Sequence, residues 1–249
     1  MKPVLLAGEI FPSSDFSGGE ANAASVNGAA SFIEALGAVG IETKQLAAAR
    51  CEVEFPRSVE LLGDYSAVVL SDVGALSLLL TPEARSGWPG ANRLECLRRW
   101  VEAGGGLMMA GGYSSFQGMD GLARFHGTPL EDCLPIECRP YSDGLEAPEG
   151  LTPVLTEPRH PVLSGLDETW PRVLGLNIVR MRAKDSQLLA KCDYRGEEHP
   201  LLAVREYGSG RSLAWTTDIG LHWLSRPFMD WPGYRTLAVN MIRWIAHLI

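Results

Sequence analysis

The sequence predicts an α/β protein with a mostly parallel sheet and an antiparallel C-terminal extension. Three observations carry that expectation. Compact apolar runs alternate with amphipathic stretches as far as Ala110, the rhythm of a parallel sheet covered on both faces. Glycines stop the helix-like stretches at Gly37 and at Gly104-Gly105-Gly106. Later, two strand-like runs flank Tyr207-Gly208-Ser209-Gly210, a hairpin signal because glycine supplies the positive φ of such turns.

Taken in order, Pro3 to Ala7 is a short apolar run with no polar alternation, as a strand buried on both faces requires. A loop rich in Ser, Gly and Asp follows. From Ala21 to Gly37 the apolar residues recur at three- and four-residue spacing, which predicts a helix. Ile41 to Leu46 alternates like a more exposed strand, and Tyr65 to Leu70 is a second buried one ending at Ser71-Asp72. Asn92 to Ala103 places Leu94, Leu97, Trp100 and Val101 on one helical face, and Leu107 to Ala110 is the third buried strand. Prolines at 129, 135, 140, 148, 153, 158 and 161 then predict loops and short pieces. Ser186 to Cys192, Leu201 to Glu206 and Arg211 to Thr217 are the strands of the extension, and Tyr234 to Leu248 is a closing amphipathic helix. With no internal repeat and no low-complexity segment, a single domain over residues 1–249 is expected.

Composition excludes several functions. The 249 residues carry 22 Lys and Arg against 30 Asp and Glu, a formal charge of −8, with no basic cluster. Nucleic acid and anionic membrane surfaces are therefore not expected partners. No apolar stretch reaches the roughly 18 residues of a membrane span, and the five apolar residues before Glu9 are too few for a secretory signal. Five scattered cysteines without CxxC spacing read as reduced thiols, so a cytoplasmic location is expected.

Ligands of parallel sheets sit outside the carboxyl ends of the strands. Four places qualify: Gly8-Glu9 with the loop through Gly19, Ser71-Asp72, the turn Gly111-Gly112-Tyr113-Ser114-Ser115-Phe116, and Asp218 to Trp223. The third has the pattern of a nucleophile elbow, a buried strand feeding a glycine turn and then an expected helix. Its glycines serve close packing or a binding turn of backbone N–H groups. Asp72, Gly111, Gly112 and Tyr113 are the candidate ligand-binding residues. Asp218 and His222, four residues apart, suit a polar latch or a base with its orienter. Ser114, Asp218 and His222 are accordingly the candidate catalytic residues. No spacing suited to a metal or cofactor is present, and none is expected. Trp215, Trp223, Trp231 and Trp244 read chiefly as core of the C-terminal layer, or as an aromatic pocket wall.

At these residues the chain resembles the class I glutamine amidotransferase-like superfamily, in the branch called putative glutamine amidotransferases. The likeness rests on GGGLMMAGGYSSF (Gly104 to Phe116), TPLEDCLPIE (Thr128 to Glu137), RHPVLSGL (Arg159 to Leu166), YGSGRSLAWTTDIGLHW (Tyr207 to Trp223) and WPGYRTLAVNMIRWI (Trp231 to Ile245). It implies a flavodoxin-like three-layer sandwich. Active members of the superfamily carry an elbow cysteine and a late His-Glu pair. Here no cysteine lies between Leu107 and Phe116, and His222 is followed by Trp223. Thiolate hydrolysis of glutamine then lacks its nucleophile. The segments at His160-Pro161 and Gly220 to His222 also resemble trehalose-utilisation-type proteins, which hints at carbohydrate-related ligands. The resulting expectation is a small-molecule-binding or scaffold protein forming a homo-oligomer. The alternative is a hydrolase acting on a small polar or carbohydrate-related substrate, with Ser114 or a metal-held water attacking and His222 assisting.

Overall fold

The computed structural model describes residues 1–14 and 23–249. The first half of the chain contains β1 (Val4–Gly8), β2 (Ile10–Ser14), β3 (Ala23–Asn27), α1 (Ala30–Gly37), β4 (Thr43–Leu46), α2 (Ala48–Glu54), α3 (Val59–Leu62), β5 (Ala67–Ser71), α4 (Ala75–Leu79), α5 (Pro82–Arg85), α6 (Arg93–Glu102) and β6 (Gly106–Ala110). The second half contains β7 (Ile136–Glu137), β8 (Gly144–Leu151), β9 (Pro153–Leu155), β10 (Val173–Asn177), β11 (Arg180–Met181), β12 (Ser186–Tyr194), β13 (Glu197–Tyr207), β14 (Gly210–Trp215), α7 (Arg226–Asp230) and α8 (Pro232–Ile245). Among the described residues the main sheet runs β4-β1-β5-β6-β14-β13-β12-β9. Strands β4, β1, β5, β6 and β14 are parallel neighbours, and β13, β12 and β9 add antiparallel pairing. The expected α/β class and extension are present.

Alternation along the buried strands sorts side chains into two cores. Val4, Leu6, Val69 and Met108 face α1 and α8, while Leu5, Val68, Leu70 and Leu107 face the layer of α2, α4 and α6. Successive strand residues point to opposite faces, so five apolar residues in a row need cover on both sides. That is the three-layer sandwich.

Two expectations need correcting here. Of the described part of the stretch Ala21 to Gly37, only Ala30–Gly37 is helical, because Ala23–Asn27 pairs antiparallel with Ile10–Ser14. The Gly28 N–H closes this ribbon on the Glu9 carbonyl at 2.9 Å, and the Asn27 side chain accepts the Ala29 N–H at 3.0 Å. Both bonds remove backbone groups that a longer helix would need. Residues 15–22, which include the loop through Gly19 and the expected helix start, lie outside the described residues. The proline-rich stretch, in turn, expected as loops and short pieces, also holds an eight-residue strand. Gly144–Leu151 pairs with Val173–Asn177, and the register shifts between Val173 and Gly175. A two-stranded ribbon tolerates Pro148 where a central strand would not.

Candidate functional site

The pairing register builds the site. Gly8 stands opposite Ser71, Ser71 opposite Ala110, and Ala110 opposite Trp215. The residues just beyond these ends, Glu9, Asp72, Gly111-Gly112 and Thr216 to Asp218, therefore share one edge of the sheet. Positive-φ backbone collects there: Glu9 has φ 62°, Asp72 φ 48°, Gly112 φ 144° and His222 φ 120°. Non-glycine residues in such conformations cost roughly 1–3 kcal/mol each and cluster where function holds them.

Gly112 is the centre of the turn. The Asp72 carboxylate occupies the space that a Cβ on Gly112 would take. Asp72 Oδ1 accepts the Ser114 N–H at 2.7 Å, and Ser115 Oγ accepts the Asp72 N–H at 3.0 Å, a reciprocal clamp between the two loops. The buried Asn177 accepts the Gly112 N–H at 3.0 Å and donates to the Gly112 carbonyl at 3.1 Å. It also donates to Asp143 Oδ1 at 2.8 Å, and Asp143 accepts the Gln117 and Gly118 N–H groups. Gly111 donates to the carbonyls of Trp215 and Thr217, both at 2.8 Å.

No α-helix follows this turn, contrary to expectation; a short 3-10 turn at Met119–Gly121 is the next helical piece. Phe116 at φ 53° and Gly118 at φ 78° break the helical path, and Asp143 takes the N–H groups between them. The N–H groups of Gly111, Gly112, Ser114 and Ser115 are all used within the protein. Of residues 111–115, Tyr113 alone keeps an N–H without a partner among the described residues. A backbone oxyanion hole of the elbow type is thus not formed.

The outer rim is made of side chains. Tyr113 OH donates to Glu146 Oε1 at 2.8 Å and lies 3.0 Å from His222 Nε2. Since the single hydroxyl proton goes to the carboxylate, Nε2 carries the hydrogen that meets the phenol oxygen. Trp223 Nε1 donates to the same Glu146 oxygen at 2.9 Å, and the His222 and Trp223 rings stack at 5.9 Å. Burial, then the bond to Glu146, pushes the Tyr113 phenol up to about 12. Tyr113, Glu146 and His222 remain solvent-facing, whereas Trp223 is fully buried.

Behind the rim stand three acids. Burial raises the Glu9 carboxyl to about 7 despite the Ser71 hydroxyl it accepts at 2.6 Å, and the nearby Asp72 charge adds to the rise. Burial also lifts Asp218 well above the carboxylate range, with Glu9 and Asp72 contributing. Asp72 is raised by burial, opposed by the Ser114 N–H and by His222. Burial and mutual repulsion thus both favour the protonated forms of Glu9 and Asp218. Among the described residues no cluster of His, Cys, Asp or Glu is placed to hold a metal ion.

The structure thus brings Asp72, Gly111, Gly112, Tyr113, Ser114, Asp218 and His222 to one sheet edge. The Asp218–His222 latch is not made. Asp218 Oδ1 instead accepts the N–H groups of Ile219 at 2.6 Å and Gly220 at 3.1 Å, which turns the carboxylate inward while His222 faces Tyr113. Ser114 Oγ has no hydrogen-bonded base among the described residues. Sequence reasoning missed Glu146, Asn177 and Asp143. Asn177 alone left a trace, as a polar residue in the apolar run Val173 to Val179. The Trp residues meet the core expectation, with Trp215, Trp223 and Trp244 buried. No thiol lies at the site, and burial pushes Cys51, Cys133 and Cys192 up to about 12.

Several solved structures are similar to this chain. A cytoplasmic protein of Salmonella typhimurium is 31% identical, with 98% of each chain covered and a TM-score of 0.86. A second cytoplasmic protein, from Salmonella typhimurium LT2, is 28% identical over 98% of this chain and 99% of its own, with a TM-score of 0.87. A ThuA-like protein of Parabacteroides merdae shares the fold alone, at 17% identity, 98% and 89% coverage and a TM-score of 0.57. No curated protein matches the chain. The family model described as putative glutamine amidotransferase, GATase1-like, matches residues 4–247. By that match over nearly its whole length, the chain belongs to the GATase1-like family of putative glutamine amidotransferases.

Proposed function

We propose that this protein binds a small, donor-rich polar ligand over the Gly111-Gly112-Tyr113 turn and performs no thiolate chemistry. One observation carries the reading: the Asp72 carboxylate fills the space above Gly112 where an elbow nucleophile's side chain would stand. An acceptor therefore takes the place of a nucleophile. Asp72 and Glu146 present carboxylate oxygens, and Tyr113 and His222 add a phenol and an imidazole. Such a rim matches a polyol, a sugar or an amine, whose donors satisfy acceptors that water otherwise meets. An anionic ligand would face Asp72, Glu146 and the acids behind them.

The test is a thermal-shift and calorimetric screen of neutral polyols, sugars and primary amines against the wild type and Asp72→Asn. Binding by the wild type that weakens at least about tenfold in Asp72→Asn, a loss of about 1.4 kcal/mol, supports the reading. Binding unaffected by that change would sink it. Chemical turnover of a bound ligand, lost in Ser114→Ala, would favour the hydrolase instead.

A cytoplasmic homo-oligomer is proposed as the working form. The similar Salmonella proteins are described as cytoplasmic, and Val53, Leu61, Leu76 and Trp88 leave apolar surface exposed between β4 and α6. Light scattering reads the mass directly.

A further inference from the structure

The antiparallel extension leaves a second concavity. Parallel strands bring crossover helices with them, but β12 and β13 are joined by a hairpin and bring none. The β7–β11 ribbon covers that face instead, tied down by Arg182 on the Glu131 and Leu134 carbonyls and by Arg205 on the Asp132 and Leu134 carbonyls. Between ribbon and sheet lies a cavity of about 670 Å³ that shares no lining residue with the glycine turn. Its volume falls in the range of small-molecule sites, roughly 300–1,000 Å³.

Its polar lining is unbalanced. His199 on β13 is only 5% exposed and lines the cavity, yet its ring has no hydrogen-bond partner among the described residues. Its ring nitrogens are not among the sealed polar atoms that lack a partner, so they open onto the cavity. Arg139 lies over the Tyr141 ring at 5.6 Å, and neither it nor Arg180 meets a carboxylate among the described residues. Of the five acids in the lining, three are engaged elsewhere. Glu131 accepts the Gly127 and Cys138 N–H groups at 2.7 and 2.5 Å, Glu137 lies 3.6 Å from Arg182, and Glu198 pairs with Lys191. Asp132 and Glu197 are exposed to solvent.

We propose that this cavity is a second small-molecule site, which takes a ligand by an anionic group, carboxylate or phosphate, against Arg139 and Arg180, with His199 as the buried polar contact. A guanidinium offers a planar fork of donors matched to either anion, and Arg139 and Arg180 line the same cavity as His199 with no carboxylate partner among the described residues.

The experiment is an NMR titration of the histidine rings from about pH 5 to 8, the range in which imidazole changes charge. Inorganic phosphate, succinate and chloride are compared at matched ionic strength. His199 starts below the usual imidazole range because of burial and then Arg139, against the opposing charges of Glu197 and Asp193. Phosphate, succinate or both should raise its midpoint by about one unit, the shift for tenfold tighter binding to the imidazolium form. A response to one anion alone identifies that source. Arg180→Ala, at an exposed position, and Arg139→Gln should each abolish the response. Arg139→Gln should also raise the midpoint of the ligand-free protein. A midpoint that moves no further with phosphate and succinate than with chloride would overturn the proposal. So would an anion response that survives both substitutions.

Discussion

The carboxylate of Asp72 and the missing side chain of Gly112 occupy one position in space: a Cβ on Gly112 would overlap Asp72 Oδ1. Gly112 also has φ 144°, where side chains are rarely tolerated. Gly112→Val should therefore lower the melting temperature by several degrees, at about 2–4 °C per kcal/mol for a chain of this size. Asp72→Ala should recover part of that loss, because it vacates the contested space. Gly111→Val would overlap the Thr216 carbonyl and should not be rescued. A double-mutant cycle on melting temperature separates the cases, and purely additive losses for Gly112→Val and Asp72→Ala would refute the overlap.

Purified protein should release no ammonia from glutamine above background. Iodoacetamide should label Cys96, the one partly exposed thiol, without effect on ligand binding. Thiol-sensitive ammonia release would contradict the geometry of the turn.

His222 and Asn177 should behave oppositely. His222 is exposed and its polar partners Tyr113 and Glu146 face solvent, so His222→Ala should change stability by no more than about 0.5 kcal/mol while weakening binding at the rim. Asn177 is fully buried and satisfies Gly112 and Asp143, so Asn177→Ala should cost about 1–3 kcal/mol through unpaired groups. Chemical denaturation measures both, and similar costs would mean the rim and its support are wrongly divided.

Glu9 gives the fold a pH dependence. Its carboxyl rises from 4.5 to about 7 on folding, so the folded state binds more protons between those values. Stability from this group is full below about pH 4.5 and is lost as pH rises through 7, up to about 3 kcal/mol. Glu9→Gln should flatten that part of the profile and raise the melting temperature at pH 8 relative to wild type. A wild-type profile that rises between pH 5 and 8, with the same slope in Glu9→Gln, would count against a protonated Glu9.

The sheet was legible because its strands are apolar on both faces: Val4–Gly8, Ala67–Ser71 and Gly106–Ala110 lie where their composition put them. Their ends located Asp72, the glycine turn and Asp218 through a rule of topology. What eluded sequence reasoning depends on pairing between distant segments. Glu146 reaches the rim because Gly144–Leu151 pairs with Val173–Asn177, and no local pattern announces that ribbon amid prolines. Asp218 and His222 sit at latch spacing, yet the backbone amides of Ile219 and Gly220 claim the carboxylate first. Spacing alone does not reveal that competition.

The alignment of four strand ends also sets when the site can exist. Glu9, Asp72, Gly112 and Asp218 are far apart in sequence and meet only through the β1-β5-β6-β14 ladder. No fragment of the chain holds the constellation, so its formation waits on slow, non-local strand pairing late in folding. A ligand seated there binds only the completed sheet, so it stabilises against global unfolding rather than local fraying. Saturating ligand should therefore slow amide hydrogen exchange most in the central strands, which open only when the whole molecule does.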